Sequence, residues 1–521
     1  GREVGGLANM LAAHMDLDNA AHRNIVQRFW RSPVVASKPG YKAVDMFRAV
    51  GDGRVKALWI MATNPVDSMP EADAVRDAIA GCPFVVVSDV SRDTDTTALA
   101  HVLLPSLAWG EKEGTVTNSE RRISRQRAFL QPPGEARADW WQFAEVGKRM
   151  GFGGAFDWDR PSRIFAEHAA LTGIKNAGTR DLDISAFANI TAEDFDQLPP
   201  FQWPLAAGST VRDTRFFADG GFFTANRKAL FVPTRWHATT RREAQFPLGL
   251  NTGRIRDQWH TMTRTAKTAR LMSHIAEPFI EVHPRDASRY GLESAALARV
   301  ASAHGSVILR VIVTDRQRQG SVFAPIHWTD QLASAARIDA LVRADVDPIS
   351  GQPALKETNV RIEPFEAAWY GFAVMRGRPS NIAAEYWALA PAKSGWRIEM
   401  AGARAPQEWS AYARSFLPVP ESHAEPELLA YHDAKSNQHR FAVFAGERLL
   451  GAFFFGRHPV QVARAWAAAQ LDLPLAAPAE RLRLLAGRAG GNVRDRGAIV
   501  CACYEVGHNE IAEAATAGKC T

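Results

Sequence analysis

The chain has 521 residues, of which 46% are hydrophobic, so it is long enough for about three domains with sizeable cores. No stretch is apolar for long enough to span a bilayer, and we expect no membrane partner. The formal charge of +6 is carried mostly by Arg residues that are spread along the chain without a basic run, so it does not indicate a nucleic-acid partner.

The cysteines and the two ends of the chain bear on its compartment and completeness. Four cysteines are too few and too unevenly placed for a disulfide scaffold, so we expect a reducing, cytoplasmic compartment. The first residues show no signal peptide and read like the inside of a domain, and the last ones stop within a cysteine-bearing segment. We therefore expect a fragment that lacks its true start.

Residues 57–63 and 84–88 are short apolar runs, and the segment between them has helical spacing. This order predicts two parallel strands joined by a helix. Ligands of such sheets bind at the carboxyl ends of the strands, where Asn64, Ser88 and Asp89 lie. The alternative for Asn64 and Asp89 is a role in capping helices or turns.

Residues 111–122, EKEGTVTNSERR, form a polar run that follows an apolar segment. We predict a polar loop presented at the end of buried structure. Lys112 offers a charge for a phosphate, and Gly114 would let the backbone approach a ligand closely. The alternative is a solvated surface loop whose N–H groups are capped by its own Thr, Asn and Ser side chains.

The rest of the chain changes character twice more. Residues 150–245 show little periodicity and predict a long connection that wraps a neighbouring domain. From about residue 246, short alternating runs broken by Gly and Asp predict a small β-barrel. Residues 366–500 combine strand-like runs with an amphipathic helical run, PVQVARAWAAAQL.

Several motifs together resemble one family. In chain order they are GREVGGLANMLAAHM, ATNPVDSMP, LLPSLAWGEKEGTVTNSERRIS, LNTGRIRDQWHTMTRT and DPISGQPALK. They resemble the second half of molybdenum oxidoreductases that carry two molybdopterin guanine dinucleotides. TVTNSERRISRQR, DQWHTMTRT and PIHWTD are most similar to the bacterial assimilatory nitrate reductases. The resemblance covers most of residues 1–365.

The resemblance implies an α/β fold with a β-barrel. Residues 1–150 would form the C-terminal half of an α/β molybdopterin-oxidoreductase domain, which is thus incomplete, and residues 151–245 a connecting region. Residues 246–365 would form a double-psi-like β-barrel that binds the molybdopterin dinucleotide. Residues 366–495 would form a small α+β domain, and residues 496–521 a truncated, helical 2Fe–2S-binding domain.

The resemblance also implies the cofactor contacts. Lys112 would face a phosphate or a pterin oxygen, and Asp139 would accept from N1 and N2 of guanine, a pairing that only a carboxylate makes bidentately. The other implied contacts are Asn64, Ser88, Asp89, Thr252, Gly253, Arg254, His260, Thr261 and Lys356. The alternative for Arg254 is a surface salt bridge, and for His260 a core histidine.

Metal ligands form a second part of the resemblance. The tail IVCACYEVGHNEIAEAATAGKCT resembles the 2Fe–2S domain of assimilatory nitrate and nitrite reductases, and Cys501 and Cys503 match its first cysteine pair. Cys520 lies too early for the second pair, and Cys82 is expected in a core. The cysteines for a 4Fe–4S cluster and the molybdenum ligand would lie upstream, so the catalytic residue is unknown and the fragment alone is expected to be inactive.

The leading hypothesis is part of the catalytic subunit of a cytoplasmic assimilatory nitrate reductase with a molybdenum bis-molybdopterin guanine dinucleotide centre. Electrons from a flavoprotein or a ferredoxin would pass through the 2Fe–2S and 4Fe–4S clusters and reduce nitrate to nitrite. A second hypothesis is a cytoplasmic molybdenum formate dehydrogenase, which the 2Fe–2S tail disfavours. A third is a basic nucleic-acid-binding protein, and a fourth is a cofactorless relative of the fold, such as a complex I subunit.

A shared dinucleotide also predicts geometry. The run at 111–122 should lie beside the turn at 251–261, with Lys112 and Arg254 within about 20 Å of each other. The carboxylate of Asp139 should be recessed, should lack a salt-bridge partner and should face an open slot, because it is kept for guanine.

Overall fold

The computed structural model describes most of the chain, namely residues 10–210, 213–233, 242–348, 350–417, 426–487, 496–497, 499–501 and 506–519. Within these ranges the chain forms a closed barrel, a parallel sheet and three antiparallel sheets, joined by short helices. None of the helices in these ranges is long and apolar enough to cross a membrane.

The first unit is a three-stranded parallel sheet with helices packed on it. Helix α1 (Ala20–Trp30) comes first and lies in a separate apolar cluster, where its Val26 packs with Leu171. The elements of the sheet unit are α2 (Ala43–Gly51), β1 (Ala57–Met61), α3 (Pro65–Ser68), α4 (Ala72–Ala80), β2 (Phe84–Asp89) and β3 (Val102–Pro105). Strand β2 lies in the middle and pairs in parallel with both neighbours. Val85 and Val87 of β2 share an apolar core with Ile79 of α4, since apolar residues recur there at strand and helix spacing. The predicted strand–helix–strand unit is confirmed.

A small antiparallel sheet follows. Its strands are β4 (Gly114–Thr117), β5 (Arg122–Gln126) and β6 (Phe201–Gln202), and helix α5 (Asp139–Gly147) comes after β5. Strand β4 lies inside the run that we predict to be a loop, so that prediction is wrong for residues 114–117. The β-branched sequence Thr115–Val116–Thr117 favours a strand, and a turn over residues 118–121 returns the chain to β5.

Residues 150–233 contain more regular structure than the predicted connection. They form helix α6 (Pro161–Gly173) and helix α7 (Ala192–Asp196) before and after a short 3₁₀ turn. Phe165 of α6 and Phe195 of α7 lie in one apolar cluster with Ile123 of β5. The segment is thus anchored to the small antiparallel sheet by its own core.

The barrel is closed by six strands. They are β7 (Leu248–Gly253), β8 (Phe279–Val282), β9 (Leu297–Ala301), β10 (Ser306–Val313), β11 (Ser321–Pro325) and β12 (Lys356–Pro364), with helices α8 (Ala269–Met272) and α9 (Pro284–Arg289) between them. The strand order is β10-β8-β11-β7-β12-β9, and β9 closes the ring onto β10. Leu250, Ile280 and Val322 are fully buried inside it. The expected β-barrel is confirmed.

A six-stranded antiparallel sheet follows the barrel. Its strands are β13 (Trp369–Met375), β14 (Tyr386–Ala392), β15 (Gly395–Gly402), β16 (Glu427–Asp433), β17 (Gln438–Ala445) and β18 (Arg448–Gly456), and its helices are α10 (Trp409–Arg414), α11 (Arg464–Ala469) and α12 (Pro478–Ala486). The order is β14-β15-β13-β18-β17-β16. Successive side chains of a strand point to opposite faces of the sheet, and each face has its own apolar cluster. Phe372 and Phe454 lie in one cluster, and Phe453 and Phe455 lie in the other.

The tail forms a two-residue strand against a three-residue one and ends in a helix. The elements are β19 (Ile499–Cys501), β20 (Val506–Gly507) and α13 (His508–Thr516). Arg256, which follows the first barrel strand, donates from Nη1 to the carbonyl oxygen of Val500 at 3.0 Å. This hydrogen bond joins the tail to the barrel near the turn that begins at Arg254.

Arg337 fastens the barrel to the parallel sheet. Its guanidinium is almost fully buried and donates to the carbonyl oxygen of Val66 in α3 and to the carboxylate of Asp330, both at 2.9 Å. It also pairs with Asp73 in α4. Because a buried guanidinium is costly unless its donors are used, these bonds fix how the barrel meets the carboxyl end of the sheet.

Candidate cofactor site between the parallel sheet and the barrel

Asn64 and Thr261 are brought together from positions 197 residues apart. Asn64 follows β1 and is buried, and its Nδ2 donates to Thr261 Oγ1 at 3.2 Å and to Asp67 Oδ2 at 2.6 Å. Its Oδ1 accepts from Thr96 Oγ1 at 2.5 Å. Two predicted cofactor contacts thus bridge the sheet and the barrel, and the amide of Asn64 is occupied by protein groups.

Ser88 and Asp89 lie at the end of β2, but their side chains differ. Ser88 is fully buried, and its hydroxyl accepts from Trp59 Nε1 at 2.8 Å and donates to Gln142 Oε1 at 2.6 Å. The bond from Trp59 joins β1 to β2, and the bond to Gln142 fixes helix α5 to the sheet. The hydroxyl is thus used by protein groups, and a direct cofactor contact through it stays a prediction. The carboxylate of Asp89 is half-buried and accepts from the N–H of Ser91.

The charges around Asp89 show what surrounds the end of the sheet. Burial raises the pKa of Asp89. Hydrogen bonds from the backbone N–H groups that follow it and the positive charge of Arg264 lower this pKa, whereas the negative charge of Asp139 raises it. Asp89 is therefore within electrostatic reach of Asp139, which opens α5, and of Arg264, which follows the predicted cofactor turn of the barrel. An acidic pair and a cation meet where the sheet faces the barrel.

Lys112 and Asp139 form an ion pair, so the prediction that Asp139 lacks a salt-bridge partner is wrong. Lys112, two residues before β4, lies with its Nζ 3.6 Å from Oδ2 of Asp139, the first residue of α5. The second oxygen, Oδ1, is buried and has no hydrogen-bond partner among the described residues. A buried acceptor without a donor is costly, and this oxygen is therefore suited to a ligand that brings an N–H group.

The turn after β7 carries the predicted contacts of the barrel. Thr252 is buried and donates from Oγ1 to the carbonyl oxygen of Leu355 at 2.7 Å, so its hydroxyl belongs to the barrel and not to a ligand surface. At Gly253 a Cβ atom would lie 2.7 Å from the Phe323 ring, so a larger residue there would displace that ring. The guanidinium of Arg254 lies over the Trp259 ring at 4.8 Å and is exposed.

His260 is exposed on the outer side of this turn, so the core-histidine alternative is wrong. Its φ of 45° lies in the left-handed region, and its carbonyl oxygen is bonded to the ring of His327 at 2.7 Å. Arg254 and His260 thus present cationic and hydrogen-bonding groups from the turn that Thr261 connects to Asn64.

Lys356 begins β12 and faces a buried acid that the sequence analysis does not identify. Burial raises the pKa of Asp339 to about 7, and the charge of Lys356 partly opposes the shift. Burial lowers the pKa of Lys356, and Asp339 opposes that shift. Within the described part of the chain, Asp339 Oδ1 is buried without a hydrogen-bond partner, as Asp139 Oδ1 is. The sequence does offer one indication of Asp339, since it is an acid within the mostly apolar run RIDALV.

These features fit a large polar ligand with N–H donors and phosphate groups. Three buried carboxylate oxygens, those of Asp67, Asp139 and Asp339, lack donors from the described residues. Lys and Arg side chains that reach the surface lie on the same two units. The proximity of Lys112 and Arg254 stays a prediction. Lys112 pairs with Asp139, and Asp139 and Arg264 both influence the pKa of Asp89 at the end of β2. Lys112 therefore belongs to the same group of charges.

The cysteines are only partly described. Cys82 is buried at the end of the turn before β2, and the prediction of a core residue is confirmed. Cys501 ends β19, its side chain lies outside the described residues, and Cys503 and Cys520 lie outside them altogether. Among the described residues no three His, Cys, Asp or Glu side chains converge as metal ligands.

Two family models match the two units that form this site. The molybdopterin oxidoreductase model matches residues 1–149, which include the parallel sheet and α5. The molydopterin dinucleotide binding domain model matches residues 248–359, which include the barrel as far as the first half of β12. The junction described above therefore lies between the two matched regions.

Curated relatives extend the comparison. A nitrate reductase of Klebsiella oxytoca is 44% identical over 99% of this chain and 58% of its own length. A nitrate reductase of Shewanella frigidimarina is 39% identical over 71% of this chain and 42% of its own length. An F420-dependent formate dehydrogenase subunit alpha of Methanocaldococcus jannaschii is 28% identical over 69% of this chain and 50% of its own length.

The chain thus spans about half the length of these relatives. Among solved structures, acetylene hydratase from Pelobacter acetylenicus aligns with 61% of this chain and 46% of its own, at 18% identity and a TM-score of 0.49. The alignment with the Klebsiella relative covers nearly the whole chain and so includes the six-stranded sheet and the tail.

Proposed function

The chain belongs to the molybdopterin oxidoreductase family, and from this premise we propose that it forms part of the catalytic subunit of an assimilatory nitrate reductase. The observation that carries the proposal is the 44% identity to a nitrate reductase over 99% of the chain. The similarity to the formate dehydrogenase subunit is lower, at 28%. The proposed substrate is nitrate, and the proposed compartment is the cytoplasm.

The proposed cofactor is a molybdenum bis-molybdopterin guanine dinucleotide at the junction of sheet and barrel. Asp139 would accept from guanine through the oxygen that has no donor in the described part of the protein, and Lys112 would neutralise a phosphate or a pterin oxygen. Arg254 would bind phosphate. The remaining proposed contacts are Asp89, Gly253, His260, Thr261 and Lys356, with Asn64, Ser88 and Thr252 shaping the site through the bonds described above.

The balanced reaction is the conversion of nitrate, two electrons and two protons into nitrite and water. The molybdenum centre, when bound, supplies the two-electron chemistry that takes one oxygen from nitrate. The residues of this chain bind and orient the dinucleotide. Burial raises the pKa of Asp339 to about 7, and the charge of Lys356 opposes the shift.

Electron transfer is the second part of the proposal. Cys501 and Cys503 would contribute two thiolates to a 2Fe–2S cluster, and a 4Fe–4S cluster of the complete enzyme would pass the electrons on. A flavoprotein or a ferredoxin would be the donor. The hydrogen bond between Arg256 and the carbonyl oxygen of Val500, next to Cys501, supports a position of this segment close to the cofactor turn.

The test is a comparison of two substrates with the purified, cofactor-loaded enzyme. We expect nitrite to form from nitrate with a reduced viologen as donor, and no reduction of an oxidised viologen by formate. Oxidation of formate without reduction of nitrate would replace the proposal with a molybdenum formate dehydrogenase. Inactivity with both substrates in an enzyme that contains molybdenum would refute both functions.

A further inference from the structure

We propose that His327 is a positioning residue that holds the turn at 254–261 in the shape that binds the dinucleotide. The inference rests on the proposed function, since that turn carries the proposed contacts Arg254, His260 and Thr261. His327 lies in the PIHWTD motif just after β11 and is fully buried. Its side chain therefore acts through the backbone of the turn and not by contact with a ligand in solvent.

Both nitrogens of the ring are used by the backbone of the turn. The Nδ1 atom lies 2.7 Å from the carbonyl oxygen of His260, and the N–H of Ile255 lies 3.0 Å from Nε2. A carbonyl oxygen only accepts and a backbone N–H only donates, so Nδ1 carries the proton and Nε2 the lone pair. One neutral imidazole thus clamps two backbone positions five residues apart.

The turn needs such a clamp because its own conformation is costly. His260 has a φ of 45° and Met262 a φ of 59°, which side chains with a Cβ adopt only where the surroundings fix them. The backbone between β7 and the next 3₁₀ turn is neither helix nor strand. A further anchor, towards the sheet, is the bond between Asn64 and Thr261 at 3.2 Å.

The surroundings keep the ring in the required state. Burial lowers the pKa of His327, the bond to the His260 carbonyl opposes this, and the nearby groups of Arg254 and His260 lower the pKa further. A protonated ring would lose the acceptor for the N–H of Ile255. The side chains of Arg254 and His260 are exposed, whereas the buried neutral ring of His327 bonds to the backbone of the turn that carries them.

Three substitutions separate the two bonds. His327→Gln keeps an acceptor near the Nε2 position, His327→Asn keeps a donor near the Nδ1 position, and His327→Leu keeps neither. A matched control is His283→Gln, because the Nδ1 atom of His283 accepts the N–H of Arg285 at 3.1 Å on the same barrel but away from the turn. Each protein is purified as the holoenzyme, and a portion is stripped of cofactor.

The first readout is hydrogen exchange of the Ile255 amide in the stripped protein. We expect exchange about tenfold faster in the Asn and Leu variants than in the wild type and the Gln variant, as for one lost hydrogen bond. Equal exchange in the Gln and Asn variants would overturn the assignment. This comparison decides the matter even if the Leu variant does not fold, since each of these two variants keeps one bond.

The second readout is the molybdenum and guanine content of the holoenzyme. We expect the content to fall in the Gln and Asn variants, to fall furthest in the Leu variant, and to stay at the wild-type level in the His283 control. Full retention in the Leu variant would overturn the positioning role. If the wild type itself contained no molybdenum or guanine, the proposed function would fail, while Ile255 exchange would still decide whether His327 holds the turn.

Discussion

Replacing Asp139 by Asn should change the free energy of unfolding and the affinity for the cofactor by different amounts. The ion pair with Lys112 is about one-third exposed on each side, at 32% and 28%, and spans 3.6 Å. Such a pair contributes about 0.5 kcal/mol to folding, so the substitution should change the unfolding free energy little. The buried Oδ1 atom has no partner among the described residues, and its proposed partner is the N–H edge of guanine.

The expected loss of cofactor binding is larger. An amide presents a donor where guanine also has donors, so the variant loses a charge-assisted pair of about 2 kcal/mol, or roughly 30-fold in affinity. The assay is the molybdenum and guanine content per protein after purification, with unfolding by urea measured in parallel. The control is Asp45→Asn, because Asp45 pairs with Arg48 at 3.8 Å on the exposed side of α2. Unchanged content in the Asp139 variant would show that this acid is structural and would refute the assignment.

Four further substitutions test buried and half-buried polar groups, each by urea unfolding. Burial raises the pKa of Asp339 to about 7, above its value in the unfolded chain, so the native protein binds the extra proton between about pH 4 and pH 7. Stability should therefore fall by up to about 1.4 kcal/mol per pH unit as the pH rises through this window, and Asp339→Asn should remove that slope; an equal slope in wild type and variant would contradict the assignment. Asn64→Ala should lower the free energy of unfolding by about 2 kcal/mol, because it leaves several buried groups without partners. Thr261→Val breaks one hydrogen bond and should lower it by about 1 kcal/mol. Equal losses would argue against a bond from Asn64 that bridges the sheet and the barrel. Tyr386→Phe should lower the free energy of unfolding by about 2 kcal/mol, since the Tyr386 hydroxyl donates to the carboxylate of Glu277 at 2.6 Å. An unchanged urea midpoint would show that the stability of the barrel does not depend on this bond.

Local patterns are sufficient to predict the parallel strands and the barrel, but not strand β4 or helices α6 and α7. The run FVVVS is apolar, β-branched and bounded by turn residues, so it predicts a strand of a parallel sheet without any tertiary information; its central position in the sheet follows only from the structure. The alternating runs after residue 246 predict the barrel for the same reason. The polar run at 111–122 is misjudged because its composition hides the strand-forming Thr115–Val116–Thr117 segment, which pairs with β5.

The site itself depends on contacts that no local pattern contains. Lys112 and Asp139 are 27 positions apart in the chain, and the fold places their side-chain charges 3.6 Å from each other. The bond from Asn64 to Thr261 joins the sheet to the barrel, and the clamp of His327 on the turn joins two motifs of the barrel. The residue types were predictable from the motifs, but which of them bind each other and which remain open to a ligand requires the structure.

Hydrogen exchange across the whole chain, compared between cofactor-loaded and stripped protein, tests the central claim most directly. The claim is that the dinucleotide lies between the carboxyl end of the parallel sheet and the turn after β7. We predict that the cofactor slows exchange of backbone amides in residues 88–91, 112–114, 137–142 and 252–264, and leaves the six-stranded sheet unchanged. Slowed exchange confined to the six-stranded sheet, or absent from both the sheet end and the barrel turn, would contradict the account.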